Sequence, residues 1–344
     1  VKTLVELIRD AQARGGTGLR LVPGYPMELK NGRQWVPFGG QTLAAEDVRN
    51  AIWALLTQEE KKHLDQERAL DGWLRGQGGP IRFQYLLHEM GLVGSFSWHG
   101  ESEKGLSEWN IPPYVLEKVQ RQSGLNLVTG PVDSGKSSFL KHWAKTLVEI
   151  HGTILFFSDA EEFQSEAALP VLPTTALDKM SDISQLTRFV MIDSDKASAR
   201  AQALELASQG LSVFLTMPAK SIPSALMTLA ADAAKFSNPE RIWQLLGENI
   251  VSAFGLRLVP GLESGLQPAF ELLVDTPEIK SKLSQGSVMG LVEVMAKGGD
   301  KSGMRTLNQA LLQLLIKRRI ELRTGFDESP NPLELDELLK KVGV

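Results

Sequence analysis

A chain of 344 residues is longer than a single hydrophobic core usually serves, which predicts two domains. Its 37 basic and 41 acidic residues leave a formal net charge of -4, against the basic footprint of a nucleic-acid translocase, and no run approaches the ~20 apolar residues of a membrane-spanning helix. The lack of cysteine removes disulfides, thiolate zinc sites and cysteine nucleophiles, and the histidines His63, His88, His99, His142 and His151 lack metal-ligand spacing.

In chain order, Leu4, Leu7, Ile8 and Ala11 make one helical face that stops at Gly15-Gly16, and Leu19 to Val22 follows as a short strand. This start reads as an amphipathic helix rather than a signal peptide, so a cytoplasmic protein is expected. Asn31-Gly32, between Met27-Glu28-Leu29 and Trp35-Val36, is a hairpin turn signal. The stretch from Ala44 to about Ala69 predicts one helix with Val48, Ile52, Leu55 and Leu56 on its apolar face. Ile81–Leu87 and Leu92–Trp98 predict a second hairpin around Gly91.

A polar stretch closed by Ile111-Pro112-Pro113 marks the boundary, giving an N-terminal α+β domain over 1–99, a linker over 100–113 and a second domain over 114–344. There short apolar runs alternate with amphipathic helices, the α/β pattern of a parallel sheet wrapped by helices. The expected core strands are Leu125–Thr129, Thr153–Phe157, Arg188–Ile192 and Leu211–Thr216, with Pro268–Val274 as one more. The C-terminal part turns helical over Val288–Met295, Thr306–Ile316 and Leu333–Leu339. Lys317-Arg318-Arg319 follows such a helix, where cations suit the dipole.

The string Gly130-Pro131-Val132-Asp133-Ser134-Gly135-Lys136-Ser137 has the G-x-x-x-x-G-K-S form of a phosphate-binding loop. The form carries weight because a strand, Leu125–Thr129, leads in and a helix opening at Ser138 leads out. Backbone N–H groups and a helix N-terminus then face the phosphate. ATP or ADP with Mg²⁺ is the expected ligand, Lys136 reaching the outer phosphates and the Ser137 hydroxyl meeting the metal. Asp133 is the discordant residue: it either sets a negative charge against polyphosphate or turns to solvent or caps a backbone N–H.

These residues resemble the type IV pilus retraction ATPases of the secretion-ATPase superfamily. The likeness runs from the approach Ile111-Pro112-Pro113 through the loop to Gly255-Leu256-Arg257-Leu258-Val259-Pro260, Pro268–Val274, Thr276-Pro277-Glu278-Ile279 and Gly303-Met304-Arg305-Thr306-Leu307-Asn308. The resemblance implies a PAS-like N-terminal domain and a RecA-like P-loop domain. It also implies a homo-hexameric ring with nucleotide between neighbouring subunits, at work with an active pilus motor or the inner-membrane pilus platform. The departures are selective. Ser158 stands where the family keeps a glutamate that activates water, and Asp193, at the end of Phe189–Asp193, replaces another glutamate, leaving metal contact or helix capping as its role. Pro218 stands at a family histidine. Arg82 survives as a trans-acting arginine or as plain surface, while Gln84 and Ser97 occupy positions usually basic; Ser281 and Lys282 depart from a motif tied to retraction.

Three readings follow. In the first, the chain binds nucleotide, hydrolyses it weakly or not at all, and serves as an accessory or regulatory ring subunit. In the second it is a working ATPase in which Asp159 or Glu162 replaces the lost base and Asp193 holds Mg²⁺. In the third it is a structural ring component that Asp133 keeps free of nucleotide.

Overall fold

The computed structural model describes residues 3–32, 34–76, 79–98, 109, 111–159, 171–179, 183–262 and 265–343. The described residues up to Trp98 belong to one compact unit and those from Trp109 onward to a second.

The first unit runs α1 (Leu4–Ala13), β1 (Gly18–Leu21), β2 (Pro26–Asn31), β3 (Gln34–Thr42), α2 (Ala45–Trp53), α3 (Gln58–Glu67), β4 (Ala69–Gly76), β5 (Gly79–His88) and β6 (Gly91–Trp98). α1 starts where Thr3 and Glu6 cap each other's backbone N–H, and it stops before Gly15, whose φ of 74° no β-carbon opposes. The strands form an antiparallel sheet in the order β3-β2-β1-β6-β5-β4, with Asn31 paired to Gln34 across the expected turn. Strict alternation along β5 and β6 buries Ile81, Phe83, Tyr85, Leu92, Phe96 and Trp98 against Ile8, Leu19 and Ile52.

The single helix expected from Ala44 to Ala69 is instead α2, a break and α3, and Ala69 already belongs to β4. Thr57 explains the break: its hydroxyl accepts from Glu60 N at 3.3 Å while the Glu60 carboxylate accepts from Thr57 N at 2.8 Å. A local capping box thus outcompetes helix continuation, although Leu56 and Leu64 both still reach the core.

The second unit continues with α4 (Pro113–Arg121), β7 (Gly124–Gly130), α5 (Lys136–His151), β8 (Leu155–Ser158), β9 (Val171–Leu172), β10 (Phe189–Asp193), α6 (Ala197–Ser208), β11 (Ser212–Pro218), α7 (Ile222–Ala233), α8 (Pro239–Asn249), β12 (Ile250–Pro260) and β13 (Leu266–Val274), then α9 (Pro277–Ser284), α10 (Leu291–Ser302), α11 (Leu307–Ile316), α12 (Leu322–Glu328) and α13 (Pro332–Val342). Its sheet has the order β13-β12-β7-β11-β10-β8-β9, parallel except for the β12–β13 pair. Every residue of β7 is buried, as a central strand covered on both faces requires, and Phe139, Trp143, Phe214 and Phe254 fill the space under α5.

β7 lies at the switch point of this sheet. The chain moves to one side of it through β8, β10 and β11 and then crosses to β12 on the other, so a crevice opens beyond the C-terminal end of β7. β12 itself escapes a sequence reading because Gly255 and Arg257 interrupt its apolar run. A β-carbon at Gly255 would collide with the side chain of Glu271 on β13, so the glycine serves packing rather than a turn.

Candidate functional site

The segment Gly130 to Ser138 occupies that crevice. Gly130 ends β7, and a β-carbon there would collide with Ser134 Oγ and with the carbonyl oxygen of Leu256 on β12. Gly135, at φ 85°, is the N-cap of α5 and provides no side chain to cap the helix, so the first-turn N–H groups of Lys136, Ser137 and Ser138 stay available to an anion. Lys136 donates to the carbonyls of Gly130 at 3.1 Å and Pro131 at 2.8 Å, folding over the loop. Burial pulls its pKa down, opposed by the carboxylates of Asp193, Asp195 and Asp133. The loop is anchored from behind as well: Ala219 N, just past β11, donates to Gly130 O at 3.2 Å.

Asp133 resolves in a specific way. Its φ is 61°, a left-handed conformation that costs a non-glycine residue ~1–2 kcal/mol. It is exposed, as is Val132 at the loop tip, yet it lies close enough to Lys136 to act on its charge. The loop therefore needs the positive φ that glycine supplies most readily, and it carries an acid there.

The ends of β8, β10 and β11 lie side by side next to the loop. Ser158 is the register partner of Asp193, and Asp193 that of Thr216. Asp193 is held on two sides, accepting from the hydroxyls of Thr216 and Ser137. Burial pushes its carboxyl above the usual value, against those two hydrogen bonds and the Lys136 charge. Asp159 follows Ser158 directly, its N–H donating to Asp193 O at 3.4 Å. Its oxygens accept from Ser194 Oγ at 2.5 Å, from Lys196 Nζ at 2.9 Å and from Thr174 Oγ1. Burial opposes ionisation of Asp159, but these donors and the Lys196 charge outweigh it and hold the carboxyl below its ordinary value. Glu162 lies outside the described residues.

No family model matches the chain. Among curated proteins it is 26% identical, over 96% of its length and 98% of theirs, to the type IV pilus retraction ATPase PilT of Pseudomonas aeruginosa. To the type IV pilus ATPase PilU of the same organism it is 22% identical, over 97% of its own length and 91% of that protein's. The crystal structure of the pilus retraction motor PilT with bound ADP superposes with a TM-score of 0.75 over 98% of this chain and 100% of that one, at 19% identity. The ATPase DotB of Legionella pneumophila gives 0.74 over 94% of this chain and 95% of its own, at 18% identity. The chain resembles the type IV pilus and secretion ATPases from end to end. The expected likeness therefore holds, along with the mixed α/β fold built on a parallel sheet.

The hydroxyl of Ser137 and the carboxylate of Asp193, hydrogen-bonded to each other at the start of α5, are oxygen donors of the kind a hard divalent cation takes. No cluster of three or more His, Cys, Asp or Glu side chains competes for a metal among the described residues. Arg82, in the first unit, projects from the exposed face of β5, 3.7 Å from Asp71 on β4. Gln84 and Ser97 share that exposed face, Ser97 directly opposite Arg82, so register gathers all three positions that the family likeness implies are neighbour-facing. Thr174, Ser194, Lys196 and Thr216 escaped the sequence reading. Ser194 follows Asp193 directly and Thr216 ends an expected core strand, but Thr174 and Lys196 reach the site only through folding. No helix among the described residues is long and apolar enough to cross a membrane.

Proposed function

We propose that the chain is a nucleotide-binding protein of a type IV pilus or related secretion machine, one that holds ATP or ADP with Mg²⁺ and hydrolyses ATP weakly or not at all. One observation carries the reading: the loop keeps an open helix start, Lys136 and Ser137, while the carboxylates at the ends of β8 and β10, Asp159 and Asp193, are already engaged. Asp159 has both oxygens occupied by donors, and Asp193 is engaged by Thr216 and Ser137. A general base needs a pKa near the working pH, and the donors on Asp159 hold its carboxyl below the ordinary value; the lack of a base costs ~10²–10⁴ in rate.

In this reading Lys136 and the α5 amides bind the phosphates, and Ser137 with Asp193 would hold Mg²⁺, which neutralises charge on the outer phosphates when bound. Ser158, a neutral hydroxyl beside Asp193, cannot accept a proton from water near neutral pH. The chain works as an accessory or regulatory subunit of a homo-hexameric ring in the cytoplasm, peripheral to the inner membrane, alongside an active motor or the pilus platform. Its N-terminal unit is PAS-like, with Arg82 facing the neighbour's nucleotide. The decisive experiment measures binding of a fluorescent ATP analogue and steady-state phosphate release side by side, on wild type and Lys136→Ala. Tight binding that needs Lys136, with little turnover, supports the reading. Brisk turnover abolished by Lys136→Ala refutes it in favour of a working motor, and no binding at all favours a purely structural ring component.

A further inference from the structure

Glu271, on β13, is a buried acid that the nucleotide reading leaves without a task. Strand register places it in a row with Gly255 of β12 and Thr129 of β7, the residue before Gly130. Because Gly255 has no side chain, the Glu271 carboxyl lies across it, in space a β-carbon would fill. Glu271, Thr129 and Gly130 line one crevice with Ala219, Lys220 and Arg257, and it is too tight to admit a water molecule. Glu271 Oε1 accepts from Ile222 N at 2.7 Å, at the first position of α7, while Arg257 donates to Lys220 O at 3.1 Å. The β11–α7 connection is thereby held against β12 and β13. Within the same connection Ala219 N donates to Gly130 O at 3.2 Å, and that carbonyl also accepts from Lys136 Nζ at 3.1 Å. Residues 219–222 therefore link the carboxyl of Glu271 to the loop and its lysine.

A carboxylate sealed from water needs donors or a cation, and here it has one N–H and the charge of Arg257. Among the described residues, the elements lining the crevice bring two cations, Arg257 and Lys220. β7, β11 and α11 carry no charged side chain, and α7 carries only Asp232, which Arg200 and Lys235 engage. The Arg305 guanidinium lies over Phe270, on the opposite face of β13. Burial therefore outweighs the favourable contacts and lifts the Glu271 carboxyl from 4.5 to about 7. Below that value the acid is neutral and suits a dry crevice; above it the charge calls for hydration, which the crevice grants only by opening.

We propose that Glu271 is a positioning residue for the phosphate loop whose protonation sets nucleotide affinity: the neutral acid keeps residues 219–222 and Gly130 in place, whereas the carboxylate loosens that connection and puts a negative charge behind Gly130. The inference rests on the nucleotide-binding part of the reading above and is independent of slow hydrolysis. Both consequences of ionisation weaken phosphate binding. Affinity is then highest where the acid is neutral and declines as pH rises through about 7.

The test titrates the full chain with Mg²⁺ and a fluorescent ADP analogue across that pH range, in wild type, Glu271→Gln and Arg257→Met, and reads the melting midpoint of each. Glu271→Gln keeps an acceptor for Ile222 N, removes the titrating proton and supplies the baseline for protons taken up by the nucleotide itself. Between about pH 6 and pH 8, wild-type affinity is expected to fall about 5-fold more than that of Glu271→Gln, the change produced when binding raises a pKa of about 7 by one unit. Arg257→Met removes the cation that favours the carboxylate, so its fall in affinity is expected at higher pH than in wild type. A merely structural glutamate would change affinity by the same factor at every pH. Parallel curves for folded wild type and Glu271→Gln overturn this inference alone and leave nucleotide binding standing. If Glu271→Gln does not fold, Arg257→Met decides: a fall that stays at the wild-type pH, or moves lower, overturns it. A wild type that binds no analogue at any pH overturns both this inference and the reading beneath it.

Discussion

At the C-terminal end of β7 the chain presents Lys136 and Ser137 on a helix start with no side-chain cap, whereas at the neighbouring ends of β8 and β10 Ser158 pairs with Asp193 and Asp159 is held by three donors. Both regions are rooted in one buried sheet, yet one leaves its backbone donors uncapped while the other engages its own charges. In the proposed reading, phosphate binding and phosphate cleavage are separable properties of a single site. Binding depends on backbone donors and one cation that the local sequence supplies. Cleavage depends on a free carboxylate, and whether a carboxylate is free is decided by its neighbours in space.

The comparison breaks most readily at Lys136. Replacing it with alanine should weaken nucleotide affinity by roughly two orders of magnitude, since truncating a buried, hydrogen-bonded charge opposite a charged partner costs ~2–5 kcal/mol. Titration with a fluorescent ATP analogue reads this directly, and an unchanged affinity would remove the loop from the argument.

Glu271 probes the support behind the loop. Its carboxylate accepts from Ile222 N at 2.7 Å, at the start of the helix after β11, the strand whose following residue Ala219 anchors Gly130. Burial raises its pKa from 4.5 to about 7, against the Ile222 N–H and the Arg257 charge. The folded state therefore holds a proton that the unfolded chain releases between those values. The associated stability is full below about 4.5 and is lost as pH rises through about 7. On the order of 3 kcal/mol is at stake, at 1.36 kcal/mol per unit. Glu271→Gln keeps an acceptor for Ile222 and should flatten that part of the pH–stability curve relative to wild type; identical curves for the two proteins would count against a buried titrating carboxyl.

Gly130→Ala tests the close approach of the loop to β12. Its methyl would meet Ser134 Oγ and Leu256 O, and overpacking of this kind costs about 1–3 kcal/mol, to be read as a lowered melting midpoint together with weaker nucleotide binding. The smallest effect belongs to Asp133→Gly. Relief of the left-handed backbone, set against the greater flexibility of an unfolded glycine, leaves a gain of about 0.5–1 kcal/mol. Loss of the negative charge should tighten nucleotide binding several-fold at low salt, and less so at high salt. A decrease in affinity would mean that Asp133 assists the loop instead of opposing its ligand.

Much of this was legible before folding. The G-x-x-x-x-G-K-S string, flanked by an apolar run and a helix, already placed a loop between a buried strand and a helix start, because such a loop is made from consecutive residues. Alternation along β5 and β6 and the turn at Asn31-Gly32 were equally plain, since period and turn chemistry are local. The helical periodicity that spans Ala44–Ala69 hides the break, because the Thr57–Glu60 capping box that starts a second helix leaves the apolar spacing almost undisturbed.

What the sequence by itself determined, then, was a two-part chain with a G-x-x-x-x-G-K-S loop on a parallel sheet. Tertiary structure alone decided which side chains surround Asp159 and Asp193. Strand register sets Ser158 beside Asp193 and Asp193 beside Thr216, and the return of the chain at Thr174 brings it together with Lys196 on Asp159. Those partners come from positions 15 and 37 residues away from Asp159, a separation at which no local periodicity carries information, while the electrostatics of a carboxylate depend on atoms within a few ångströms.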